Sequence, residues 1–302
     1  MQVGVQYQGD SGGPKLFARR AEQAGLDSLW CGDHVAHLYD GLAVLACFAG
    51  ATDQITIGLN VLVTPYRSAA VTAKALATIA LAAPGRVVAG FGVGGEFPAE
   101  FTATGADPSV RGAYTDEALG VITRLWSGAP VSYRGRWNRL DEFQLEPPPA
   151  PPPEVWIGGR SEAALRRAVR FGRGYTPYLV SPDQLAKRVV RLGELAAEAG
   201  RSPQELTVGC LCTLVPGVRG QAAVDLVSAA FKLSGLTPEA IQQRYLLGGD
   251  DEVLARLQRY VDAGARHLIL GCVPGDPGQV DEFFAACERL APAARRLTPS
   301  AG

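Results

Sequence analysis

Residues 55–94 read ITIGLNVLVTPYRSAAVTAKALATIALAAPGRVVAGFGVG, and strand and helix signals alternate within them. The β-branched run 55–63 predicts a strand, and residues 86–94 predict another. The apolar run 69–83 between them predicts a helix, which the breaker pair at 84–85 ends. Two strands joined by a helix predict a right-handed unit with parallel neighbouring strands.

The same alternation extends in both directions along the chain. Further strands are predicted near residues 3, 28, 155, 176, 208 and 268, which makes eight with those near 57 and 87. Eight such units in 302 residues fit a closed barrel better than an open sheet. We therefore predict an α/β fold, a single (β/α)8 TIM barrel domain over residues 1–302, with insertion segments near 95–155 and 216–247.

Composition and charge argue against several classes of protein. The formal net charge is −1, and no basic patch stands out, so we expect no nucleic-acid partner. No apolar run reaches the ~18 residues that span a membrane, and no secretory signal is recognisable, so we expect a cytoplasmic protein. The six cysteines are scattered and there are only three histidines, so we expect no metal site. We expect the cysteines to be reduced and mostly buried.

Two of the three histidines lie in CGDHVAH, residues 31–37. Asp33 and His34 follow the second predicted strand, and catalytic groups of a TIM barrel lie at the carboxyl ends of its strands. His34 is suited to general acid or base catalysis because the ordinary histidine pKa is close to neutrality. The alternative is a polar turn that merely contains histidine. His37 is interpreted as a lid or surface residue.

Two glycine-rich segments follow the fourth and fifth predicted strands at the same rim. Glycines in FGVGGEF, residues 91–97, leave room for a flat ring or a phosphate. IGGRSEAAL, residues 157–165, places the unpaired amides of a helix N-terminus next to an arginine, and this combination suits a phosphate. The alternative is a plain turn with a serine N-cap. Neither segment is a GxGxxG or P-loop motif, so a Rossmann site or an NTPase is disfavoured. The predicted catalytic residues are His34, Asp33 and Glu96, and the glycine-rich candidates are Gly92, Gly94, Gly95, Gly158, Gly159, Arg160 and Ser161.

Six segments, in order and spacing, resemble the luciferase-like flavin monooxygenase superfamily over nearly the whole chain. The resemblance implies a TIM barrel, usually a homodimer, that binds FMN or the deazaflavin coenzyme F420 without a covalent bond. The segments are GLDSLWCGDH, ITIGLNVLVTPYRSAAVTAKALATI, PGRVVAGFGVGGEFPAEFTATG, RGAYTDEALGVITRLWSG, VSYRGR and PPPEVWIGGRSEAALRRAVRFGRGYTP.

The resemblance also implies roles for particular residues. Gly158–Ser161 would hold the cofactor phosphate, Asn60 and Val61 would form a cis non-prolyl peptide behind the isoalloxazine, and His34 would face the reactive edge of the ring. One departure is Gly172–Tyr175, GRGY, where the family often has Asp-Gly-Trp. Arg173 at the place of that acid puts the substrates of close relatives in doubt for this chain.

Three functions stay open from the sequence. Hydride transfer between F420 and a small organic substrate is favoured by the Asp-His pair, and the alternative is an FMNH2-dependent monooxygenase that inserts oxygen from O2. A non-catalytic flavin-binding or partner subunit would be favoured if Trp30 or Phe91 filled the ring pocket. Residues near 95–110 and 216–247 carry no strongly charged cluster, which indicates an apolar or neutral substrate.

Overall fold

The fold is described by a computed structural model that covers residues 1–9, 12–230, 236–273 and 277–300. Eight parallel strands pair in chain order, and the eighth pairs with the first, which closes a barrel. A short ninth strand, Leu62–Val63, also pairs with the fourth strand of the barrel. All eight predicted strands, and the TIM barrel they imply, are confirmed. The strands are β1 (Gln2–Tyr7), β2 (Ser28–Cys31), β3 (Thr56–Leu59), β4 (Val87–Gly92), β5 (Glu154–Gly158), β6 (Gly174–Thr176), β7 (Thr207–Leu214) and β8 (His267–Cys272).

Helices connect the strands around the outside of the barrel, and the helix predicted at 69–83 is confirmed to within a residue at each end. The helices are α1 (Gly13–Gln23), α2 (Gly41–Ala51), α3 (Ala69–Ala82), α4 (Pro98–Thr104), α5 (Arg111–Leu125), α6 (Glu162–Phe171), α7 (Pro182–Glu198), α8 (Gly220–Ala230), α9 (Pro238–Arg244), α10 (Asp250–Asp262) and α11 (Pro277–Arg295).

Both predicted insertion segments carry structure beyond a single barrel helix. Between β4 and β5, the short helix α4 precedes α5, and an antiparallel hairpin of Val131–Arg134 with Arg139–Phe143 follows it. The segment near 216–247 contains α8 and α9, and its residues 231–235 lie outside the described part of the chain. The proline-rich run 147–153 leads straight into β5 of the same barrel.

Burial explains why the strands read as continuous apolar runs. Every residue of β2, β4 and β8 is buried, since the barrel interior covers one face and the helices cover the other. Of the cysteines, Cys47 is exposed and the other five are buried, as expected from the sequence. Among the described residues, no helix is long and apolar enough to cross a membrane.

Aromatic rings fill the amino-terminal part of the barrel interior. Trp30 and Trp156 lie with ring centroids 5.0 Å apart, and each contacts the ring of His267 at 5.4 Å. Ser28 Oγ accepts a hydrogen bond from the Trp30 indole at 2.7 Å and lies 2.6 Å from Nε2 of His267. His267 begins β8, so this cluster occupies the end of the barrel opposite to the predicted catalytic rim.

His267 should make folding sensitive to mild acid. Burial lowers its pKa from 6.5 to about 4, whereas the unfolded chain takes up the proton at the ordinary pKa. Stability from this residue is therefore complete above the unfolded pKa and is lost as the pH falls toward 4. The free energy of unfolding should fall by about 2 kcal/mol between pH 8 and pH 5 from this group alone.

Urea denaturation at the two pH values checks this expectation. His267→Gln should remove most of the difference between the two free energies of unfolding, and His37→Gln, which changes an exposed histidine, should leave it intact. An equal pH dependence in wild type and His267→Gln would show that the buried imidazole does not cause it.

Candidate active site

Side chains from the ends of β2 and β4 meet at the carboxyl rim of the barrel. Loop 32–40 after β2 carries His34, and loop 93–97 after β4 carries Glu96 and Phe97. The Phe97 ring lies 5.1 Å from the His34 ring in an edge-on arrangement and 4.3 Å from the His37 ring. The structure therefore brings together His34 and Glu96, two of the three predicted catalytic residues, at one mouth.

The His34 imidazole contacts the carboxylate of Glu100, a residue that the sequence analysis did not single out. Nδ1 of His34 lies 3.4 Å from Oε1 of Glu100, and the His34 side chain keeps 21% of its surface exposed. Glu100 belongs to the first turn of α4. An imidazole partly open to the mouth and backed by a carboxylate is the arrangement that orients a general base.

The Glu100 carboxylate is buried and well supplied with donors. Its Oε1 accepts hydrogen bonds from the backbone amides of Val35 and Ala36, both at 2.9 Å, and its Oε2 accepts from the Tyr66 hydroxyl at 3.2 Å. Burial alone would raise the pKa of Glu100, but the two amides and the nearby His34 hold it below its usual range. Glu100 is therefore ionised at neutral pH.

Asp33 positions the loop and has no access to a substrate. Its side chain is 1% exposed, and both oxygens receive hydrogen bonds: from the amides of Gly41 at 2.9 Å and Val63 at 3.0 Å, and from the Arg67 guanidinium at 2.7 and 2.9 Å. These contacts tie the loop after β2 to the segment that follows β3. The enclosed oxygens fit a residue that sets up the loop beside His34, and a direct catalytic role for Asp33 stays an untested prediction.

Glu96 faces the open mouth and stands in a mixed electrostatic setting. Desolvation by the surrounding protein raises its pKa, although the side chain still reaches solvent, and Arg160, His34 and the Tyr178 hydroxyl partly oppose that effect. Arg160 lies 6.0 Å from the Tyr178 ring. A carboxyl with a raised pKa beside a histidine at a cleft is a candidate acid–base group.

The peptide between Asn60 and Val61 is cis, as predicted. The Asn60 side chain joins two barrel strands, because its amide donates to Gln6 Oε1 at 3.1 Å and its oxygen accepts from the Thr176 hydroxyl at 3.1 Å. Gln6 and Thr176 are themselves buried in β1 and β6. This polar chain crosses the mouth of the barrel, and neither Gln6 nor Thr176 was singled out from the sequence.

Two of the predicted glycines leave room for the Val61 side chain. A Cβ at Gly92 would lie 2.5 Å from Val61 Cγ2, and a Cβ at Gly158 would lie 2.8 Å from Val61 Cγ1. Such distances are shorter than any real contact, so glycine is required at both positions while Val61 occupies this place. Their direct contact with a cofactor stays a prediction.

The remaining glycines supply backbone conformations that other residues rarely adopt. Gly94, Gly95 and Gly159 have φ values of +66°, +125° and +122°. Gly94 and Gly95 turn the loop between β4 and α4, and Gly159 turns the chain from β5 toward α6. The two glycine-rich segments are therefore tight turns, and their contact with a flat ring or a phosphate stays a prediction.

The start of α6 has the features expected of an anion site. Ser161 is exposed and is the N-cap, and its Oγ accepts from the Ala164 amide at 3.3 Å. The backbone before it is fixed, since Tyr175 donates to the Gly159 carbonyl at 2.9 Å and Arg188 donates to the Arg160 carbonyl at 3.2 Å. The capping role is therefore confirmed, and a phosphate would bind at the amides of the first turn that precede the capped Ala164 amide.

Two buried polar atoms near the mouth fit the presence of a polar ligand. Gln8 Oε1 and Thr64 Oγ1 are enclosed and have no hydrogen-bond partner within the described chain. Gln8 follows β1 and Thr64 follows β3, so both lie at the carboxyl ends of strands. Because buried polar atoms are nearly always paired, the heteroatoms of a flavin-type ring would fit them.

The luciferase-like monooxygenase family model matches residues 15–239 of this chain. The chain therefore belongs to the luciferase-like oxidoreductases, a family that includes F420- and FMN-dependent enzymes. An F420-dependent glucose-6-phosphate dehydrogenase of Amycolatopsis mediterranei (strain U-32) is 28% identical over 322 residues, which cover 94% of this chain and 95% of that protein.

Two solved structures share the fold over almost their whole length. An F420-dependent secondary alcohol dehydrogenase in complex with an F420-acetone adduct superposes with a TM-score of 0.87 at 24% identity, covering 98% of this chain and 99% of that chain. The oxygenating constituent of 3,6-diketocamphane monooxygenase of Pseudomonas putida, in complex with FMN, gives a TM-score of 0.78 at 18% identity, covering 99% and 100%. At these identities the likeness concerns the fold alone.

Proposed function

We propose that the protein is an F420-dependent dehydrogenase that moves a hydride between the deazaflavin and a small organic substrate. The observation that carries the proposal is the His34 imidazole at the mouth, backed at 3.4 Å by the buried Glu100 carboxylate. The full-length likeness to F420-dependent glucose-6-phosphate dehydrogenases supports the choice of cofactor. Hydride removal from an alcohol needs a base for the hydroxyl proton, and His34 is placed to provide one.

Each part of the mouth has a role under this proposal. Bound F420 would supply the hydride acceptor or donor. Ser161, Arg160 and the first amides of α6 would hold its phosphate, and Val61, seated on Gly92 and Gly158, would support the ring. His34 would take or return the substrate proton. Glu96 would be a second acid–base group at the same mouth.

The alternatives have different support. An FMNH2-dependent monooxygenase remains the second candidate, since an FMN-bound oxygenating protein shares the fold. A non-catalytic subunit would be favoured if Trp30 or Phe91 filled the ring pocket, and both residues lie elsewhere. Trp30 packs toward the amino end of the barrel against His267, and Phe91 belongs to the apolar core.

The substrate is proposed to be an apolar or neutral organic molecule. The loop beside His34 exposes Val35, Leu38 and Tyr39 by 50%, 43% and 41%. Exposed apolar side chains gathered next to a candidate catalytic group are typical of a binding surface. The homodimer implied by the family resemblance stays a prediction.

An anaerobic assay separates the two flavin-based activities. Purified protein with oxidised F420 and a panel of secondary alcohols should bleach the deazaflavin without any oxygen present. The monooxygenase alternative predicts no such reaction. It requires oxygen uptake with FMNH2 and an organic substrate, and that result would replace the dehydrogenase proposal.

Ser161→Ala should weaken F420 binding while the fold survives. Losing one hydrogen bond to a charged group costs on the order of 1.5–3 kcal/mol, which corresponds to roughly a tenfold to hundredfold increase in the F420 dissociation constant. Titration of protein fluorescence or deazaflavin absorbance measures the change.

Ser68→Ala is the matched control for this substitution. Ser68 caps α3 by accepting a hydrogen bond from Val71, as Ser161 caps α6. Both variants should lose about 1 kcal/mol of helix-cap stability, but only Ser161→Ala should lose cofactor affinity. Equal F420 dissociation constants for wild type and Ser161→Ala would contradict the phosphate assignment.

A further inference from the structure

We propose that Glu100 is a positioning residue for His34 that holds the imidazole proton on Nδ1 and leaves Nε2 as the unprotonated nitrogen. The proposed function supplies only the kinetic consequence of this inference. The arrangement itself depends on contacts within the chain and can be examined without cofactor or substrate.

The distance between the two side chains fixes where the proton lies. Nδ1 of His34 is buried and lies 3.4 Å from Oε1 of Glu100, and no better partner is found for it in the described residues. An unprotonated Nδ1 would direct its lone pair toward a negatively charged oxygen. A proton on Nδ1 turns that repulsion into attraction, so the buried carboxylate selects this tautomer.

Backbone amides prevent Glu100 from donating a hydrogen bond to an unprotonated Nδ1 of His34. Oε1 already accepts from the Val35 and Ala36 amides at 2.9 Å each, and those N–H groups cannot become acceptors. The Tyr66 hydroxyl donates to the second oxygen at 3.2 Å. Oε1 can therefore present only an acceptor to His34, and the backbone of the loop controls the chemistry of the ring.

A second carboxylate of the chain, that of Glu22, also accepts hydrogen bonds from successive backbone amides of a loop, and it has no imidazole beside it. Glu22 Oε1 accepts from the amides of Gln54 at 2.7 Å and Ile55 at 2.9 Å, and Glu22 also accepts from Asp53. Its pKa is likewise lowered against the effect of burial by those amides. Glu22→Ala is therefore the matched control, because it removes the hydrogen bonds from a carboxylate to a loop backbone and does not alter His34.

Nitrogen NMR of protein labelled with 15N-histidine tests the proposal directly. With three histidines in the chain, signals can be assigned with His34→Gln and His37→Gln. In alkaline buffer that keeps the imidazole neutral, the wild-type His34 should show the proton on Nδ1. A proton on Nε2 would overturn the proposal, whatever the enzyme's substrate proves to be.

Two substitutions then separate charge from hydrogen bonding. Glu100→Gln should keep the Nδ1 tautomer, because its amide oxygen must face the Val35 and Ala36 amides, whereas Glu100→Ala should shift the proton toward Nε2. With F420 and a substrate, kcat should fall about a hundredfold in Glu100→Ala and less in Glu100→Gln, while the F420 dissociation constant stays constant. An unchanged tautomer in Glu100→Ala, or the same spectral change in Glu22→Ala, would contradict the proposal.

Discussion

Replacing His34 by alanine should lower turnover about 10²–10⁴-fold, the usual contribution of a positioned general acid or base. The imidazole is the only histidine ring that meets both requirements, since it lies at the carboxyl rim and is backed by a carboxylate at 3.4 Å. His267 lies at the opposite end of the barrel, and burial keeps it neutral. Steady-state kinetics with F420 and a responsive alcohol measure the effect.

His37→Ala is the control for that substitution. Its ring lies in the same loop and packs on Phe97 at 4.3 Å, but it is exposed. Turnover should change little in His37→Ala, and F420 affinity should be nearly unchanged in both variants. If the two variants lose the same activity, CGDHVAH is a polar turn and not a catalytic segment.

Asp33→Asn should reduce the free energy of unfolding by about 3 kcal/mol, because it removes one member of a buried ion pair and points an amide nitrogen at a backbone donor. Both Asp33 oxygens accept hydrogen bonds in a site that is 1% exposed. Arg67 retains a second partner in Asp40, which keeps the cost at the lower end of the range. Urea denaturation at neutral pH gives the number.

Asp40→Asn is the matched variant for Asp33. It removes the other carboxylate that pairs with Arg67, but the Asp40 side chain is 51% exposed, and asparagine can still cap α2. A loss below about 1 kcal/mol is expected for this exposed pair. Equal losses in the two variants would show that enclosure of Asp33 does not determine its contribution.

The strands and helices of the barrel were predictable because their signals are local. The β-branched run 55–63, the apolar helix 69–83 and the breaker pair after it lie side by side in the sequence. The structure reproduces the helix and divides the predicted strand into Thr56–Leu59 and Leu62–Val63 at the cis peptide. The hairpin of Val131–Arg134 with Arg139–Phe143 was missed, because one short, mostly exposed pair of strands carries little alternation of apolar residues.

The candidate site was only partly predictable, for a different reason. The rule that catalytic groups follow the strands located His34 and Glu96, but it could not distinguish Asp33, whose oxygens are enclosed by residues from two other segments. The sequence does not distinguish Glu100 from the other acidic residues of the segment 95–155. Its burial against Val35, Ala36 and His34 depends on how α4 folds back over the loop after β2, which no local pattern records.

Glycine positions show the same limit. The sequence indicated that Gly92 and Gly158 need close approach, but it assigned that approach to a ligand. The structure identifies the Val61 side chain as the group that a Cβ would strike at both positions. A contact between residues about thirty and about a hundred positions apart in the chain is invisible in the spacing of either glycine.

Equilibrium titration of the purified protein with F420 and with FMN tests the central claim most directly. An F420-dependent dehydrogenase should bind F420 at least tenfold more tightly than FMN, a difference of about 1.4 kcal/mol, and Ser161→Ala should weaken F420 binding. Two results would contradict the account. One is tighter binding of FMN than of F420, and the other is no binding of F420 at concentrations at which FMN saturates the protein.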